Sequence, residues 1–252
     1  MQGYLLETHL HTAEASACGK VNGADYIDYM IAKGFNGMIV TDHFFNGNCR
    51  VPKDIPWDER VDWYMSGYEH ALEAAKGKPL DVFFGVEFNF DRDEYLIYGV
   101  DRKWLLENDD ILDLTRRQVY DRVHEAGAVM VNAHPYRERF YIEDIKLMPS
   151  ICDGIEIYNA ANPDNQNALG YQYALRLGLP VTAGSDIHFF YDGAMGGMLL
   201  PHGIKDVNEY SSMLMAREGV AVRVLDGSVT PVEEIEEMKV PAEEPTLPVI
   251  EL

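Results

Sequence analysis

Histidines and acids follow short apolar runs at several widely separated places in this chain of 252 residues. His9 and His11 stand two residues apart after one run, and Asp186 and His188 repeat that spacing after another. The other members of the set are Asp42, His43, Glu87, His134 and Glu156. Imidazoles and carboxylates that meet at one point bind divalent ions such as Zn²⁺, Mn²⁺ or Fe²⁺. The sequence therefore predicts a metal site built from several segments.

The apolar runs before these residues are short and rich in β-branched side chains, as buried parallel strands are. Helical patterns separate the runs, and four of them end at a glycine, namely Gly34, Gly77, Gly127 and Gly178. Strands that alternate with helices predict an α/β barrel, in which the carboxyl ends of the strands lie at one rim. The histidines and acids that follow the strands are then expected to lie together at this C-terminal rim.

The predicted elements cover most of the chain. Helices are predicted at 24–33, 57–76, 111–126, 166–177 and 207–217, and strands at 37–41, 80–86, 128–131, 179–183 and 220–225. A further strand is predicted at 94–100, with an antiparallel direction allowed after a turn at 91–93. Residues 1–226 are predicted to form the barrel domain. The acidic, proline-bearing segment 227–252 is predicted as a C-terminal tail without chemistry, packed on the barrel or extending from it.

The composition of the chain restricts which partners and which cellular compartment are expected. The chain carries 42 acidic and 21 basic residues, a net charge of −21 that repels the phosphate backbone, so a long nucleic acid is not expected as a partner. No apolar stretch reaches ~18 residues and no signal-peptide pattern opens the chain, which predicts a cytoplasmic protein without a membrane partner. Cys18, Cys49 and Cys152 are odd in number and are interpreted as reduced, mostly buried thiols. Oligomeric state is not predicted.

Five motifs in a fixed order resemble the PHP (polymerase and histidinol phosphatase) family of metal-dependent phosphoesterases. They are His9-Leu10-His11-Thr12, Thr41-Asp42-His43, Gly85-Val86-Glu87, Asn132-Ala133-His134-Pro135 and Gly184-Ser185-Asp186-Ile187-His188. The resemblance extends over about residues 4–190. It implies a distorted (β/α)7 TIM-like barrel of seven parallel strands. It also implies two or three divalent ions at the C-terminal rim, with Zn, Mn or Fe expected and Mg allowed.

The resemblance implies ligands for the first two ions. The first ion would take His9, His11 and Asp186, with Glu87 as a bridging ligand. The second ion would share Glu87 and take His134. Many family members place a further histidine on the strand after the bridging glutamate, where this chain has Tyr95-Leu96-Ile97-Tyr98. The second ion is therefore absent, weakly held, or completed by Glu94 or Glu156.

The resemblance also implies a third ion, held by His43 and His188 with an acid or histidine from the loop after the first strand. Glu14 is the candidate, although this loop lacks the aspartate that commonly precedes the glycine, here Gly19. Asp42 is expected to orient a ligand rather than bind an ion. The residues expected to carry catalysis are His9, His11, Glu87, Asp186 and His188.

Two arginines follow His134 on a predicted rim loop. A guanidinium binds phosphate oxygens at two points, so Arg137 and Arg139 are candidates for binding the substrate. Surface salt bridges are the alternative role for both in so acidic a chain.

The motifs predict hydrolysis of a small-molecule phosphate ester, with a nucleotide or metabolite phosphomonoester favoured, by a hydroxide that bridges the metal ions. No nucleophilic cysteine or serine motif accompanies the cluster, so no covalent intermediate is expected. One alternative is an amidohydrolase-type enzyme acting on carbonyl substrates, but that class brings a bridging lysine where this chain has Glu87. The other is a regulatory domain that keeps metal only for stability.

Overall fold

The fold is an α/β structure with twelve strands and seven α-helices in the part of the chain that the computed structural model describes, residues 3–252. The strands are β1 (Tyr4–Leu10), β2 (Gly37–Val40), β3 (Asp81–Phe90), β4 (Asp93–Tyr98), β5 (Val129–Asn132), β6 (Ile145–Leu147), β7 (Gly154–Asn159), β8 (Val181–Gly184), β9 (Met195–Leu200), β10 (Val220–Leu225), β11 (Ser228–Pro231) and β12 (Val249–Glu251). The helices are α1 (Tyr26–Ala32), α2 (Trp57–Ala74), α3 (Arg102–Glu107), α4 (Arg116–Glu125), α5 (Asp164–Leu177), α6 (Val207–Ala216) and α7 (Glu236–Lys239).

Ten strands form one strongly curled, barrel-like sheet in the order β11-β10-β9-β1-β2-β3-β4-β5-β7-β8. The strands β1, β2, β3, β5, β7 and β8 run in one direction, so their carboxyl ends lie at the same rim. The sheet curls until the end of β8 meets β1. There Leu10 pairs with Ile187, and the Asp186 amide donates to the His9 carbonyl at 2.8 Å.

The expected seven parallel β/α repeats are not confirmed. Strand β4 is antiparallel to both of its neighbours and follows β3 without a helix. The connecting turn places Asp91 and Arg92 at positive φ, as a tight reversal requires. The antiparallel direction allowed for the strand at 94–100 is therefore the observed one.

Strand β9 was not predicted, because Gly196 and Gly197 interrupt its apolar pattern. The structure explains the first glycine. A Cβ atom at Gly196 would lie 2.1 Å from the Gly184 carbonyl oxygen, so only glycine allows β9 to pass this close to the end of β8. The close approach at this point depends on the missing side chain.

The four glycines that predicted helix ends all have positive φ, which confirms that signal. The helix predicted at 111–126 differs from the observed one. Ile111–Asp113 forms a 3-10 turn, and α4 begins only after Thr115. Thr115 and Gln118 form a reciprocal capping box that starts the helix at this point.

Helices pack on the outside of the sheet and apolar side chains fill the interface. Helix α2 contacts β3, α4 contacts β5 and α5 contacts β7. Each fully buried Leu or Ile side chain in such a layer stabilises the fold by roughly 1.5–3 kcal/mol. These helices hold the strands whose ends form the rim.

The segment 227–252 packs on the barrel rather than extending from it. Strand β11 forms a hairpin with β10, and β12 pairs with β6 in the rim loop after β5. The Met238 side chain is fully buried, and the Glu138 carboxylate accepts hydrogen bonds from Thr246. The division into a domain at 1–226 and a tail stays a prediction.

Among residues 3–252, none of the helices has both the length and the apolar character needed to cross a bilayer. The cytoplasmic location stays a prediction.

Candidate metal centre

The rim gathers seven of the eight predicted metal ligands into one buried cluster. Glu87 of β3 lies at its centre. Its Oε1 atom is 3.1 Å from His9 Nε2 and 3.2 Å from His134 Nε2, and its Oε2 atom is 2.6 Å from His43 Nδ1. On the other side of His9, His11 Nε2 is 3.1 Å from Asp186 Oδ1. These side chains come from five strands, β1, β2, β3, β5 and β8, or from the residues that follow them.

Potential ligand atoms form four groups, in each of which the atoms lie within 4.8 Å of one another. The groups are His9–His11–Asp186, His9–Glu87–His134, His43–Glu87–Glu94 and His11–His43–His188. Adjacent groups share a residue, so the cluster can hold more than one ion.

Several polar atoms in this cluster are buried and, although oppositely charged groups lie close to them, they make no hydrogen bond of normal geometry with the described residues. They are His9 Nε2, His11 Nε2, His43 Nδ1, Glu87 Oε2 and Asp186 Oδ1. Buried polar groups in proteins are almost always paired. Nitrogen and oxygen atoms left unpaired so close together fit divalent cations between them. The residues present therefore suit the metal that the sequence predicts.

Electrostatics keep the two central carboxylates ionised. Burial favours the neutral form of Glu87, but the imidazoles of His43 and His9 outweigh it and hold its pKa well below the usual range. For Asp186 burial is likewise outweighed, first by Arg137 and then by His9, and the pKa again lies well below the usual range. Both carboxylates are therefore in the form that binds cations.

Two of these residues have strained backbones. His134 has φ of 31° and Asp186 has φ of 53°, a region that residues other than glycine rarely occupy. Each lies two residues after a strand end, that of β5 and that of β8 respectively. Such strain persists only where the surroundings impose it, and it concentrates at functional sites. Both side chains contact other members of the cluster.

Glu156 supports two ligands from behind. Its Oε1 atom is 2.9 Å from His9 Nδ1, which leaves His9 Nε2 free to face the cluster. Its Oε2 atom accepts hydrogen bonds from the His134 amide and from Asn159 Nδ2, each at 3.0 Å. Carboxylates placed this way fix the tautomer and orientation of a metal-binding imidazole.

Asp42 orients His11 through Ser16. The Asp42 carboxylate accepts hydrogen bonds of 2.6 Å from the Thr12 amide, the Thr12 hydroxyl and the Ser16 hydroxyl. The Ser16 oxygen lies 3.1 Å from His11 Nδ1. Asp42 is thus one residue removed from the predicted ligand His11, and its orienting role stays a prediction.

Glu7 is a buried acid at this rim that the sequence reasoning missed. Its Oε1 atom accepts hydrogen bonds from the His9 amide at 2.8 Å and the Ser185 amide at 2.9 Å. Glu7 therefore joins β1 to the residue that precedes Asp186. The available signal was an acid inside an apolar strand, two residues before His9 and on the same face.

The structure distinguishes between the two acids considered for the second ion. Glu94 of β4 points into the cluster, with Oε2 at 3.5 Å from His134 Nε2 and Oε1 at 3.6 Å from His43 Nδ1. Glu156 instead supports His9 and His134 from behind. Because β4 is antiparallel, Glu94 near its start reaches the rim from the same side as the ligands.

Glu14 is not brought to His43 and His188. Its carboxylate accepts from the Gly23 amide at 3.1 Å and lies 3.0 Å from His70 Nδ1. The loop after β1 folds back, with the Ala13 amide bonded to the Val21 carbonyl, and this turns Glu14 toward the segment before α1. The expectation that Glu14 joins this pair of histidines is therefore corrected.

Cys18 lies where Glu14 was expected. It is half-buried and lines the same cavity as His43 and His188. Burial raises the pKa of the Cys18 thiol, but hydrogen bonds with His188 and His43 outweigh it and lower the pKa to about 6. Cys18 and the two imidazoles therefore line one cavity.

A cavity of about 480 Å³ opens above the cluster, and Asp186 and His188 are among its lining residues. Three arginines line it in an otherwise acidic protein: Arg92, Arg137 and Arg139. Arg137 donates a hydrogen bond to the Asp186 carboxylate, and Arg139 Nη2 donates to Asn162 at 2.9 Å. The sequence singled out the last two arginines, whereas Arg92 reaches the cavity only because the β3–β4 turn projects there.

The sequence matches no protein-family model and no curated relative. Solved structures share the fold. A two-domain protein from Bacteroides vulgatus, containing a predicted PHP-like metal-dependent phosphoesterase, superimposes with a TM-score of 0.66 at 16% identity. The match covers 87% of this chain and 64% of that one, so this chain spans less than two thirds of that protein.

Two further structures show the same architecture. The lesion-specific endonuclease PfuEndoQ from Pyrococcus furiosus matches with a TM-score of 0.54 at 12% identity, covering 85% of this chain and 56% of that one. An amidohydrolase from Chromobacterium violaceum with bound sulfate matches with a TM-score of 0.51 at 16% identity, covering 88% and 98%. The fold is that of PHP-like phosphoesterases, which confirms at the level of fold the resemblance that the motifs indicate.

Proposed function

We propose that this protein is a metal-dependent phosphoesterase that hydrolyses a small-molecule phosphate ester, with a nucleotide or metabolite phosphomonoester favoured. One observation carries the proposal: buried, unpaired ligand atoms of two carboxylates and three imidazoles converge beneath an arginine-lined cavity. The Bacteroides vulgatus protein of the same fold contains a predicted PHP-like metal-dependent phosphoesterase, and this supports the same class of reaction.

The proposed sites for the ions follow from the groups of ligand atoms. His9, His11 and Asp186 would hold the first ion, and Glu87 would bridge to a second. Imidazole-rich sites favour Zn²⁺, Mn²⁺ or Fe²⁺ over Mg²⁺.

His134 would complete the second site with Glu94, and His43 and His188 would belong to a third. Ions bound here would supply the acidity that makes water nucleophilic at neutral pH and would neutralise charge on the phosphoryl group.

The chain's own residues would bind and orient the substrate. Arg139 is anchored by Asn162 and makes no contact with a ligand carboxylate, so its guanidinium is available to phosphate oxygens at the cavity wall. Arg137 is held by Asp186 and Glu94 and would position the Asp186 carboxylate as well as face the substrate.

The size of the cavity and the charge of the protein favour a small substrate. A volume of about 480 Å³ lies within the range of small-molecule sites. The net charge of −21 opposes the approach of a polyanion. PfuEndoQ is an endonuclease of the same fold, so an oligonucleotide is the comparison substrate that any assay must include.

The test is a panel of phosphate esters assayed with Mn²⁺, Zn²⁺, Fe²⁺ or Mg²⁺ added to metal-depleted protein. We expect turnover of phosphomonoesters that disappears with chelator and returns with metal. His9→Ala should abolish turnover with the fold retained, whereas His202→Ala, which changes an exposed histidine outside the cluster, should not.

Two results would contradict the proposal. Bound metal without hydrolysis of any phosphate ester would favour the non-catalytic alternative. Hydrolysis of carbonyl substrates alone would favour the amidohydrolase-type alternative.

A further inference from the structure

The turn between β3 and β4 has a strained backbone and carries an arginine to the cavity. Asp91 and Arg92 have φ of 53° and 73°, values that residues other than glycine rarely adopt. Such a conformation persists only where the surroundings impose it. Arg92 lines the cavity above the cluster. The contacts that hold this turn therefore decide where the Arg92 side chain lies.

Arg116 holds the turn from the side of α4. It is the first residue of that helix, and its guanidinium donates hydrogen bonds to the Asp93 carboxylate and, through Nη2, to the Phe90 carbonyl at 3.2 Å. Phe90 and Asp93 are the paired residues that flank Asp91 and Arg92. A single side chain therefore contacts both ends of the strained turn.

The contact between Arg116 and Asp93 is largely buried and has further partners. The two side chains are 13% and 8% exposed. The guanidinium also lies over the rings of Phe90 and Tyr95, at 5.1 and 5.4 Å from their centroids. Asn132 Nδ2 donates to the other oxygen of Asp93 at 3.2 Å. A buried ion pair contributes little net stability compared with apolar residues of the same size, whereas a guanidinium with several partners fixes the position of each of them.

The Arg92 guanidinium keeps free hydrogen-bond donors. Its Nη1 atom donates to the Tyr141 carbonyl and lies 3.8 Å from a Glu143 carboxylate oxygen. Its Nε and Nη2 atoms make no hydrogen bond with residues 3–252. A guanidinium has five N–H donors in a rigid fork that matches phosphate oxygens. Arg92 is therefore able to bind an anion in the cavity that Arg139 also lines.

We propose that Arg92 binds a phosphate oxygen of the substrate and that Arg116 positions Arg92 through the turn. The inference rests on the proposed function, because the anion is the phosphate group of the proposed ester. Arg116 is not among the residues that line the cavity, so it acts on Arg92 rather than on the substrate. Helix α4 is thereby coupled to substrate binding.

The experiment titrates inorganic phosphate into the zinc-loaded full chain in a calorimeter. Arg92→Ala should weaken phosphate binding about 10- to 100-fold, because hydrogen bonds to a charged group are lost. Arg116→Lys keeps a positive charge beside Asp93, but an ammonium is a point charge and cannot hold the Phe90 carbonyl in the same geometry. We expect this variant to bind phosphate about 3- to 30-fold more weakly, in the range of coupling between neighbouring residues.

The double variant separates positioning from a general loss of stability. If Arg116 acts through Arg92, Arg116→Lys should have no further effect on phosphate binding in the Arg92→Ala background. A general loss of stability would act equally in both backgrounds. Arg117→Lys is the matched control, because it makes the same change at the next residue of α4, an exposed arginine that donates to the Ser150 carbonyl. The control should bind phosphate like the wild type.

Asp93→Asn changes the other partner of the ion pair and keeps the test decisive if Arg116→Lys does not fold. It should also weaken phosphate binding, and it should have no further effect in the Arg92→Ala background.

Three results would overturn the inference: no phosphate binding by the wild type, unchanged binding in Arg92→Ala or Arg116→Lys, or effects of these two substitutions that simply multiply in the double variant. Failure of the proposed function gives a different result. Phosphate binding that depends on both arginines, without hydrolysis of any phosphate ester, would retain the roles of Arg92 and Arg116 and reject only the catalytic activity.

Discussion

The proposed ligand side chains at the rim are held by acids that do not themselves face the proposed metal sites. Glu156 uses both of its oxygens, one on His9 and the other on the His134 amide and Asn159. Asp42 acts on His11 through Ser16. Because an imidazole binds metal only in the correct tautomer and orientation, we expect these acids to control the metal affinity of the proposed site.

Glu156→Gln should weaken metal binding by about 10- to 100-fold. Glutamine has one acceptor oxygen, so its NH₂ group would face either the His9 ring or the His134 amide, and one hydrogen bond would be lost. Competition for Zn²⁺ with a chromophoric chelator measures the change. Glu125→Gln, on the exposed face of α4, is the matched control and should leave affinity unchanged. An affinity within twofold of wild type in Glu156→Gln would contradict this role.

At the scale of elements, helix α2 approaches the loop after β1 so closely that a glycine is required. A Cβ atom at Gly67 would lie 2.1 Å from the Thr12 hydroxyl oxygen, which donates to Asp42. Packing of this helix is therefore coupled to the hydrogen bonds that orient His11. Gly170 in α5 is different, because its nearest neighbour would be Pro135 Cγ at 3.5 Å, an ordinary contact.

Gly67→Ala should lower the free energy of unfolding by about 1–3 kcal/mol through overpacking, and it should weaken metal binding because Thr12 must move. Gly170→Ala should be neutral or stabilising by up to about 1 kcal/mol, since alanine favours a helix and space exists for its methyl group. Urea unfolding of the metal-free proteins measures both. Equal effects of the two substitutions would show that close packing at Gly67 is unimportant.

The C-terminal segment is held to the rim loop by Glu138. Its carboxylate accepts hydrogen bonds from the Thr246 amide and hydroxyl at 2.6 Å and from the Leu247 amide at 3.3 Å. Partial burial works in the opposite direction, but these hydrogen bonds lower the pKa of Glu138 below its usual value. The rim loop that carries Arg139 is thus tied to the end of the chain.

Because the pKa of Glu138 is lower in the folded protein than in the unfolded chain, its stabilising contribution is complete above the unfolded value of roughly 4.3. The contribution is lost as the pH falls through the folded value. Amide chemical shifts of Thr246 and Leu247, followed from neutral to acidic pH in the zinc-loaded protein, should show a transition with its midpoint below roughly pH 4.3.

The transition should be absent in Glu138→Gln and retained in Glu143→Gln, a change at an exposed acid of the same loop. A midpoint at or above the usual glutamate pKa in the wild-type protein would contradict the assignment.

At the scale of the whole molecule, the protein carries a net charge of −21, whereas three arginines line its cavity. Long-range repulsion acts on any polyanion, whereas the arginines act only at short range. Salt screens the repulsion over a Debye length of about 8–10 Å at physiological ionic strength. Charge and cavity together therefore favour small anions over long ones.

We expect kcat/KM for a mononucleotide to exceed that for a single-stranded oligonucleotide at low ionic strength. Added salt should raise kcat/KM for the oligonucleotide, the opposite of the behaviour of basic nucleic-acid-binding proteins. Steady-state kinetics at several salt concentrations provide the measurement. A higher kcat/KM for the oligonucleotide than for the mononucleotide, falling as salt is added, would instead indicate a nucleic-acid substrate.

The site was more predictable than the path of the chain around it. Ligand types directly after apolar runs were readable because strand periodicity and strand ends are local properties. The predicted position at a strand end is observed for His9 and His11, which share a face, and for Asp186 after the end of β8. It failed for β9, whose glycines are explained only by the neighbouring strand, and for the helix predicted at 111–126, which begins later at its capping box.

The order of residue types along the chain was enough to indicate an α/β fold with a set of histidines and acids at one rim. Only the tertiary structure decided that β4 is antiparallel, that Glu94 rather than Glu156 faces the cluster, and that Cys18 rather than Glu14 lines the same cavity as His43 and His188. The physical reason is that the direction of a loop side chain is set by hydrogen bonds to segments far away in sequence, such as that between Lys20 and His188. The pattern of neighbouring residues in the sequence does not reveal these hydrogen bonds.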